Sequence, residues 1–287
     1  MILQETYTLA NGVEVPKLGL GTWMIDDDKV ADAVKAAIEL GYRHIDTAQA
    51  YGNERGVGEG LRDSGVAREE LFLQTKLDAG IKDYEGAKAA IQGSLDLLGV
   101  DYIDLMIIHS PTPWENFGGD DRFFEGNLAA WKALEEFYKE GKIRAIGVSN
   151  HEKADLDNLI ENGTVAPMVN QVLAHITNTP FELIDYCKSK NILVEAYSPM
   201  GHGELMKNTD VQAMADKYNV SLPQLAIRYC LQLDLLPLPK TATPAHMESN
   251  AALDFEISAD DMETLKSMEK IKDYGEHSFF PVYGGSM

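Results

Sequence analysis

The sequence predicts an α/β fold, a (β/α)8 barrel of the TIM type. Short apolar runs typical of strands alternate with amphipathic helical patterns along the whole chain of 287 residues. No low-complexity or linker-like segment interrupts this alternation. Hydrophobic residues make up 45% of the chain, a normal globular share that is enough for a sizeable core. We therefore expect a single domain over residues 1–287.

The first expected element is a β-hairpin. Two short strand-like runs flank Asn11-Gly12 in "TYTLANGVEVPKLG", and Asn-Gly is a strong signal for a tight turn. Because this hairpin precedes the first barrel strand, we expect it to close the bottom of the barrel.

Eight strand candidates follow the hairpin. They are "LGLG", "RHID", "LFLQTK", "IDLMIIH", "AIGVSN", "MVNQV", "LVEAYS" and "LLPLPK". Helical patterns such as "DKVADAVKAAIEL" and "EGAKAAIQGSLDLL" lie between them, with apolar residues at i, i+3, i+4 and i+7. Two helical patterns, 210–218 and 221–232, fall between the seventh and eighth strands. This is one helix more than simple alternation requires, so we expect extra helices late in the chain.

An open doubly wound sheet is the alternative fold. It would require a G-x-G-x-x-G turn between the first strand and the first helix. The nearest match, "GVGEG" at Gly56–Gly60, has the wrong spacing and falls in or beside a helix. Close helix packing explains those glycines better than phosphate binding does.

Charge and composition exclude several classes of protein. The formal net charge of −21 would repel duplex nucleic acid and anionic membrane surfaces, although a local basic cluster can still bind a small anion. No apolar run approaches the length needed to span a membrane. The segment "MILQETYTLANG" lacks the basic region and the long apolar region of a secretory signal. Cys187 and Cys230 have neither zinc-site nor disulfide-framework spacing, so we expect no metal. These features favour a cytoplasmic protein.

Polar residues end seven of the eight predicted strands. They are Asp46, Lys76, His109, Ser149 with Asn150, Gln171, Tyr197 with Ser198, and Lys240. All strands of a barrel point the same way, so these residues should meet on the C-terminal face, where active sites of this fold lie. A loop start explains one such residue easily, but it explains seven less well.

Three residues of this ring, together with Tyr51 five residues after Asp46, suggest acid catalysis. An ammonium group at Lys76 would lower the pKa of Tyr51, which could then donate a proton to a carbonyl oxygen. Asp46 would hold Lys76 in its charged form. His109 would donate a hydrogen bond to the same oxygen and orient the substrate. Two alternatives remain, namely a purely structural Asp46–Lys76 ion pair and a core histidine at position 109.

Eight motifs along the chain together match the pattern of one known family. They are "LGLGTW" at 18–23, "GYRHIDTAQAYGNE" at 41–54, "TK" at 75–76, "DLMIIHSP" at 104–111, "IGVSN" at 146–150, "NQ" at 170–171, "AYSPMG" at 196–201 and "PKTATP" at 239–244. They are specific and occur in the right order, and through them the chain resembles the aldo-keto reductases over nearly its whole length. The chain looks most like the small bacterial members that reduce aldehydes, ketoacids or diketo-sugars.

The resemblance implies a catalytic tetrad and a cofactor. The tetrad is Asp46, Tyr51, Lys76 and His109, with Tyr51 as the general acid and with hydride passing from the nicotinamide of NADPH, or of NADH, to the carbonyl carbon. The implied cofactor-binding residues are Gly21, Thr22, Trp23, Asp46, Ser149, Asn150, Gln171, Tyr197, Ser198, Met200, Gly201, Lys240, Thr241, Thr243, His246 and Asn250. Among them, Ser149, Asn150 and Gln171 match the groups that hold the carboxamide, and Tyr197 matches the ring that stacks on the nicotinamide. Thr241 and Thr243 could instead cap a helix.

Departures from the family pattern bear on cofactor choice and substrate. His246 and Ser249 stand where many NADPH-preferring members carry arginine and glutamate, and a histidine lacks the permanent charge and planar fork of arginine. We still favour NADPH because Lys240 and Thr241 remain. Leu173 replaces a common glutamate, and Ser110 replaces a common tryptophan, which we expect to widen the substrate pocket.

The expected substrate site is formed by Trp23, Met24, Tyr51, His109 and Trp114, although Trp114 could equally be ordinary loop packing. We expect Phe280 to cover one side of it. Carbonyl reduction is the first hypothesis for function, in a monomer or weak dimer with no nucleic-acid or membrane partner. A nicotinamide-binding regulatory subunit without catalysis is the second hypothesis. A metal-dependent hydrolase is the third, and it is disfavoured because only one strand ends in a histidine.

Overall fold

The strands form the predicted barrel in a computed structural model that describes residues 1–284. The hairpin strands are β1 (Thr6–Thr8) and β2 (Glu14–Pro16). The barrel strands are β3 (Leu20–Gly21), β4 (His44–Asp46), β5 (Phe72–Leu77), β6 (Ile103–Ile108), β7 (Ile143–Ser149), β8 (Val169–Leu173), β9 (Leu193–Tyr197) and β10 (Leu236–Leu238). They pair in parallel and in chain order. The prediction of eight strands is confirmed.

Backbone hydrogen bonds between the first and last barrel strands close the sheet. The Gly19 amide donates to the Pro237 carbonyl at 3.3 Å, and the Gly21 amide donates to the Pro239 carbonyl at 3.1 Å. Glycine allows this approach at position 21, since a Cβ there would lie 3.0 Å from the Leu238 carbonyl oxygen. The closed sheet therefore brings all eight strand ends onto one rim.

The N-terminal hairpin lies across the opposite end of the barrel, as predicted. The Tyr7 hydroxyl donates to the Leu235 carbonyl at 3.2 Å, just before β10. The Asn11 side-chain amide donates to the Arg144 carbonyl at 2.9 Å, near the start of β7. Val15, the middle residue of β2, is fully buried. The hairpin thus covers the amino ends of the strands and leaves the carboxyl ends open.

Helices surround the barrel in the expected alternation. Their bounds are α1 (Asp27–Glu39), α2 (Glu54–Asp63), α3 (Tyr84–Leu98), α4 (Phe124–Lys139), α5 (Lys153–Asn162), α6 (Phe181–Ser189), α7 (Thr209–Lys217), α8 (Leu222–Gln232), α9 (Pro244–Ala251) and α10 (Ala259–Lys266). The two helices expected between the last two barrel strands are α7 and α8, so that prediction is confirmed. In α1 the buried residues are Val30, Ala33, Val34, Ala37 and Ile38, the i, i+3, i+4, i+7 pattern of one helical face.

The three glycines of "GVGEG" lie on α2 and pack against neighbouring helices. A Cβ at Gly56 would lie 2.2 Å from the Asp27 carbonyl oxygen, and a Cβ at Gly58 would lie 2.0 Å from the Leu98 carbonyl oxygen. Gly60 approaches the Ala31 carbonyl in the same way, at 2.6 Å. Close packing of α2 on α1 and α3 therefore accounts for all three, as the sequence indicated.

The core is continuous from the barrel interior to the inner faces of the helices. Every residue of β6 is buried, which is typical of a parallel strand covered on both sides. Within residues 1–284, no helix combines the length and the apolar character needed to cross a bilayer.

Candidate active site

The carboxyl ends of the barrel strands surround a cavity of about 570 Å³. Such a volume is typical of ligand sites, and its position is the usual one for active sites in this fold. Predicted site residues that line it are Gly21, Trp23, Met24, Asp46, Tyr51, His109, Trp114, Ser149, Asn150, Gln171, Tyr197, Ser198, Met200 and Lys240. The polar strand ends therefore do converge on one pocket.

The loop after β4 brings Tyr51 next to Asp46. The Asn53 side-chain amide donates to the Thr22 and Ile25 carbonyls at 3.0 and 2.9 Å, and the Thr47 hydroxyl donates to Asn53 Oδ1 at 2.6 Å. These bonds hold both ends of the loop. A short 3-10 turn over Gln49–Tyr51 then presents the Tyr51 ring to the pocket. Thr22 supports this loop and does not itself line the cavity, since it is fully buried and its hydroxyl donates to the Asp46 carbonyl at 2.9 Å.

Lys76 is fully buried beneath the pocket and connects Asp46 to Tyr51. Its ammonium group lies 2.7 Å from both carboxylate oxygens of Asp46, 2.9 Å from the Thr47 carbonyl and 3.1 Å from the Tyr51 hydroxyl. An ammonium group has only donors, so the Tyr51 oxygen accepts from it. The hydroxyl hydrogen of Tyr51 therefore remains available to a group in the pocket.

Burial and charge act in opposite directions on these groups. Burial lowers the pKa of Lys76, but Asp46 and Tyr51 outweigh it, so the net shift is upward and the ammonium stays charged. Burial, with the charge of Asp46, raises the pKa of Tyr51 and together they outweigh the lowering by Lys76. Lys76 does lower the pKa of Tyr51, as expected. The net shift is nevertheless upward, so the expectation that this pKa lies below its ordinary value is wrong. Tyr51 therefore keeps its proton at neutral pH.

His109 lines the pocket beside Tyr51, with the two ring centroids 5.7 Å apart. Burial, with a contribution from Lys76, lowers the pKa of His109 well below its usual value, so the ring is neutral near pH 7. Its Nδ1 is enclosed without a hydrogen-bond partner among the described residues, which leaves Nε2 as the nitrogen on the pocket side.

A second set of polar groups lines the pocket beside the tetrad. The Tyr197 hydroxyl donates to Asn150 Oδ1 at 2.7 Å, which fixes the Tyr197 ring as a flat wall. The Asn150 amide donates to the His109 carbonyl and to Ser149 Oγ, both at 3.1 Å. The Ser149 hydroxyl donates to the Gln171 carbonyl at 2.8 Å. Most polar atoms here are already paired, so the pocket side is rigid before any ligand binds.

The expected phosphate-binding residues lie at and beyond the far end of the pocket. Lys240 lines that end and is exposed. Thr241, Thr243, His246 and Asn250 are close in sequence but do not line the cavity itself, and Gly201 is buried beside it. Thr243 is the residue before α9, yet its side chain makes no capping hydrogen bond, so the capping alternative receives no support there.

Aromatic side chains form the outer wall of the pocket. Trp23 packs edge-on against Phe280, with centroids 4.9 Å apart, and Phe280 lines the cavity as expected. Trp114 also lines the cavity and packs edge-on against His109 at 5.0 Å. Ser110 itself does not line the cavity, since it is buried and its hydroxyl accepts from the Thr112 amide at 3.3 Å.

Four non-glycine residues that line the pocket have a positive φ. They are Met24, Asn150, Ser198 and His202, with φ between 49° and 59°. This conformation costs free energy for residues with a side chain, and such residues cluster at functional sites. Four of the eight non-glycine residues with positive φ among residues 1–284 thus line this one pocket, which supports its assignment as the functional site.

Sequence analysis did not identify several residues of the site. Pro199, His202, Met206 and Val282 line the pocket from segments outside the barrel strands. Glu195 lies fully buried directly below the pocket. The only signal for Glu195 was a carboxyl group inside the apolar run "LVEAYS". Among residues 1–284, no group of three or more histidine, cysteine or acidic side chains is arranged to hold a metal ion.

Comparison with known proteins agrees with this geometry. A sequence model of the Aldo/keto reductase family matches residues 17–270. The chain belongs to the aldo/keto reductase family. It is 43% identical to glyoxal reductase of Bacillus subtilis over 270 residues, which covers 93% of this chain and 94% of that protein. It is 41% identical to the 9,11-endoperoxide prostaglandin H2 reductase of Trypanosoma cruzi, covering 96% of this chain and 95% of that protein.

Solved structures of the family show the same fold. The aldo-keto reductase of Bombyx mori, solved in complex with NADP, superposes with a TM-score of 0.85 at 32% identity, covering 97% of this chain and 98% of that one. The protein is thus an oxidoreductase with the barrel of the aldo/keto reductases, and the resemblance inferred from its motifs is confirmed.

Proposed function

We propose that the protein reduces aldehyde and ketone carbonyls to alcohols with NADPH, and that Tyr51 is the general acid. One observation carries this proposal. The buried ammonium group of Lys76 donates to the Tyr51 oxygen at 3.1 Å, so the hydroxyl hydrogen of Tyr51 is free to reach a carbonyl oxygen in the pocket. Positioned acids of this kind typically contribute about 10²- to 10⁴-fold to the rate.

The other members of the tetrad have supporting roles in this proposal. Asp46 keeps Lys76 charged and in place through two contacts of 2.7 Å. The positive charge of Lys76 stabilises the Tyr51 oxygen as its proton leaves. His109 is neutral, and its Nε2 donates a hydrogen bond that orients the carbonyl oxygen toward Tyr51.

The residues of the pocket fit a nicotinamide dinucleotide. The Tyr197 ring provides a flat wall, Gln171 has a polar side chain at the pocket, and Lys240 provides a cation at the far end. When bound, the nicotinamide would supply the hydride. We favour NADPH over NADH because Lys240 and Thr241 offer a charge and a hydroxyl to a phosphate, and because relatives were solved with NADP and with NADPH. Thr243, His246 and Asn250 would complete the adenosine side, and Gly201 the pyrophosphate side.

We infer that small carbonyl compounds are the substrates. The outer pocket is walled by Trp23, Met24, Trp114 and Phe280, which offer apolar contact and little hydrogen bonding. A related protein is a glyoxal reductase, which supports small aldehydes and dicarbonyls as candidates.

The test is NADPH and NADH oxidation with a panel of carbonyl compounds, namely methylglyoxal, an aromatic aldehyde, a β-ketoester and a diketo-sugar acid. We expect turnover with at least one member of the panel and a higher kcat/KM with NADPH. Tight dinucleotide binding without turnover on the whole panel would contradict catalysis and favour a regulatory nicotinamide-binding protein.

A further inference from the structure

Glu195 is a buried carboxyl group that the proposed chemistry does not use. It lies in the middle of β9, paired in register with Gln171 of β8. Its Oε2 accepts from Gln74 Nε2 at 2.6 Å and from Gln171 Nε2 at 2.8 Å, and its Oε1 has no partner among the described residues. A buried carboxyl is costly to maintain, so its presence directly below the pocket requires a reason.

The side-chain amide of Gln171 is held between two carboxyl groups. Its Nε2 donates to Glu195 Oε2 at 2.8 Å and to Asp46 Oδ1 at 3.2 Å. An amide nitrogen has two hydrogens, and both are engaged on the inner side. The reverse orientation would place the amide oxygen against two carboxylate oxygens. The carbonyl Oε1 of Gln171 is therefore directed away from them, and Gln171 lines the pocket.

Glu195 has more influence on this orientation than Asp46 has. Both oxygens of Asp46 are already bonded to Lys76, and its contact with Gln171 is the longer of the two. Glu195 has no cation bonded to it among the described residues. Its other donor, Gln74, is itself fixed, because Gln74 Oε1 accepts from His44 Nε2 at 2.8 Å.

We propose that Glu195 is a positioning residue for the cofactor. It fixes the Gln171 side chain with its carbonyl oxygen toward the pocket. The site then prefers a cofactor whose pyridine ring carries a substituent with an N–H group. This inference rests on the proposed nicotinamide cofactor. It makes Gln171 an acceptor for the carboxamide N–H. Asn150 is less suited to that role, since one of the two lone pairs of its Oδ1 already accepts from Tyr197.

The inference also predicts a dependence on pH. Burial, with the charge of Asp46, raises the pKa of Glu195 to about 7, against smaller effects of Gln171, Gln74 and Lys76. His44 reaches Glu195 only through Gln74 and is neutral, since burial lowers its pKa. A protonated Glu195 can donate to a reversed Gln171, whereas an ionised one cannot. The preference for an N–H group should therefore be strongest above pH 7.

The experiment compares the dissociation constants of NADP⁺ and of its 3-acetylpyridine analogue, in which a methyl group replaces the amide nitrogen. Binding is followed by quenching of tryptophan fluorescence, since Trp23 and Trp114 line the pocket. One neutral hydrogen bond is worth about 1 kcal/mol, which corresponds to a ratio of about fivefold in Kd. We therefore expect the wild-type protein to bind NADP⁺ about fivefold more tightly than the analogue at pH 8.5, and by a smaller factor at pH 5.5. Both ligands carry the same phosphates, so phosphate titration cancels in the ratio.

Glu195→Gln is the test variant, and Glu135→Gln is the matched control. A glutamine at 195 can pair with either orientation of Gln171, so the ratio should fall to about twofold or less and lose its pH dependence. Glu135 is also buried, but it accepts from the Thr164 and Val165 amides beside α4, far from the pocket. Its variant should keep the wild-type ratio.

Two results would overturn the inference. One is equal affinity of the wild-type protein for both ligands at pH 8.5. This result does not depend on whether any variant folds. The other is a wild-type ratio in folded Glu195→Gln. If the wild-type protein binds neither dinucleotide, the proposed function fails, and the inference fails with it. If the protein binds the dinucleotides but the ratio of their Kd values is the same in wild type and in Glu195→Gln, only the inference about Glu195 is contradicted.

Discussion

Glu195→Gln should also change how the stability of the protein depends on pH. Glu195 is wholly buried, and burial with the nearby Asp46 raises its pKa from 4.5 to about 7. Between these values the folded protein holds a proton on Glu195 that the unfolded chain has lost. Stability from this group is therefore fully present below about pH 4.5 and is lost as pH rises through about 7. Glutamine carries no charge and avoids this loss.

The size of the effect follows from the shift. A change from 4.5 to about 7 is about 2.5 pKa units, and each unit is worth 1.36 kcal/mol, so ionisation of Glu195 costs about 3 kcal/mol. For a domain of 287 residues, the entropy of unfolding is about 0.6 kcal/mol per degree, so this corresponds to about 5 °C in Tm.

The assay is urea unfolding of wild type and Glu195→Gln from pH 5 to pH 8.5. The quantity to follow is the difference in free energy of unfolding between the two proteins. Buried histidines such as His44 and His151 have lowered pKa values and so also make stability depend on pH, but they are common to both proteins and cancel. The difference should move by about 3 kcal/mol in favour of the variant as pH rises, then level off above pH 8. A difference that stays constant across this range would refute the reasoning.

Two further predictions concern packing and cofactor choice. Gly58→Ala should lower the free energy of unfolding by about 2 kcal/mol or more, since its Cβ would lie 2.0 Å from the Leu98 carbonyl oxygen. A Cβ at Gly93 in α3 would have no atom within 4 Å, so Gly93→Ala should raise the free energy of unfolding by about 0.5–1 kcal/mol. Urea unfolding measures the stability of both variants, and equal effects of the two substitutions would contradict the packing argument. His246→Arg should raise the NADPH to NADH ratio of kcat/KM by about tenfold through a permanent charge at an exposed position of α9. An unchanged ratio would mean that position 246 does not contact the 2′-phosphate.

The sequence predicted the barrel and the meeting of its strand ends because both follow from local patterns. Apolar runs at regular spacing define the strands, and parallel order forces their polar ends to one rim. Asp46, Tyr51, Lys76 and His109 could therefore be grouped from the sequence alone. Their electrostatics could not be predicted, because the net pKa shift of Tyr51 depends on the depth of burial as well as on Lys76.

The loops were harder to predict than the strands. The segment 199–206 and the C-terminal residues 280–282 reach the pocket through long-range packing, such as the edge-on contact of His202 with Trp23 at 5.2 Å. Nothing in the local sequence indicates the left-handed backbone at His202. Glu195 was missed for a different reason. The role of a carboxyl group inside a strand cannot be inferred until the structure shows its partners on neighbouring strands, here Gln74 and Gln171.

The central claim is that Tyr51 donates the proton to the carbonyl oxygen, and Tyr51→Phe tests it most directly. Carbonyl reduction with NADPH should be measured in the wild type and the variant with the best substrate of the panel, together with the Kd of NADPH for each. The account predicts a fall in kcat of about 10²- to 10⁴-fold with a Kd for NADPH within about twofold of wild type, because only the hydroxyl is lost. A variant that reduces the substrate at a rate close to wild type would contradict the account.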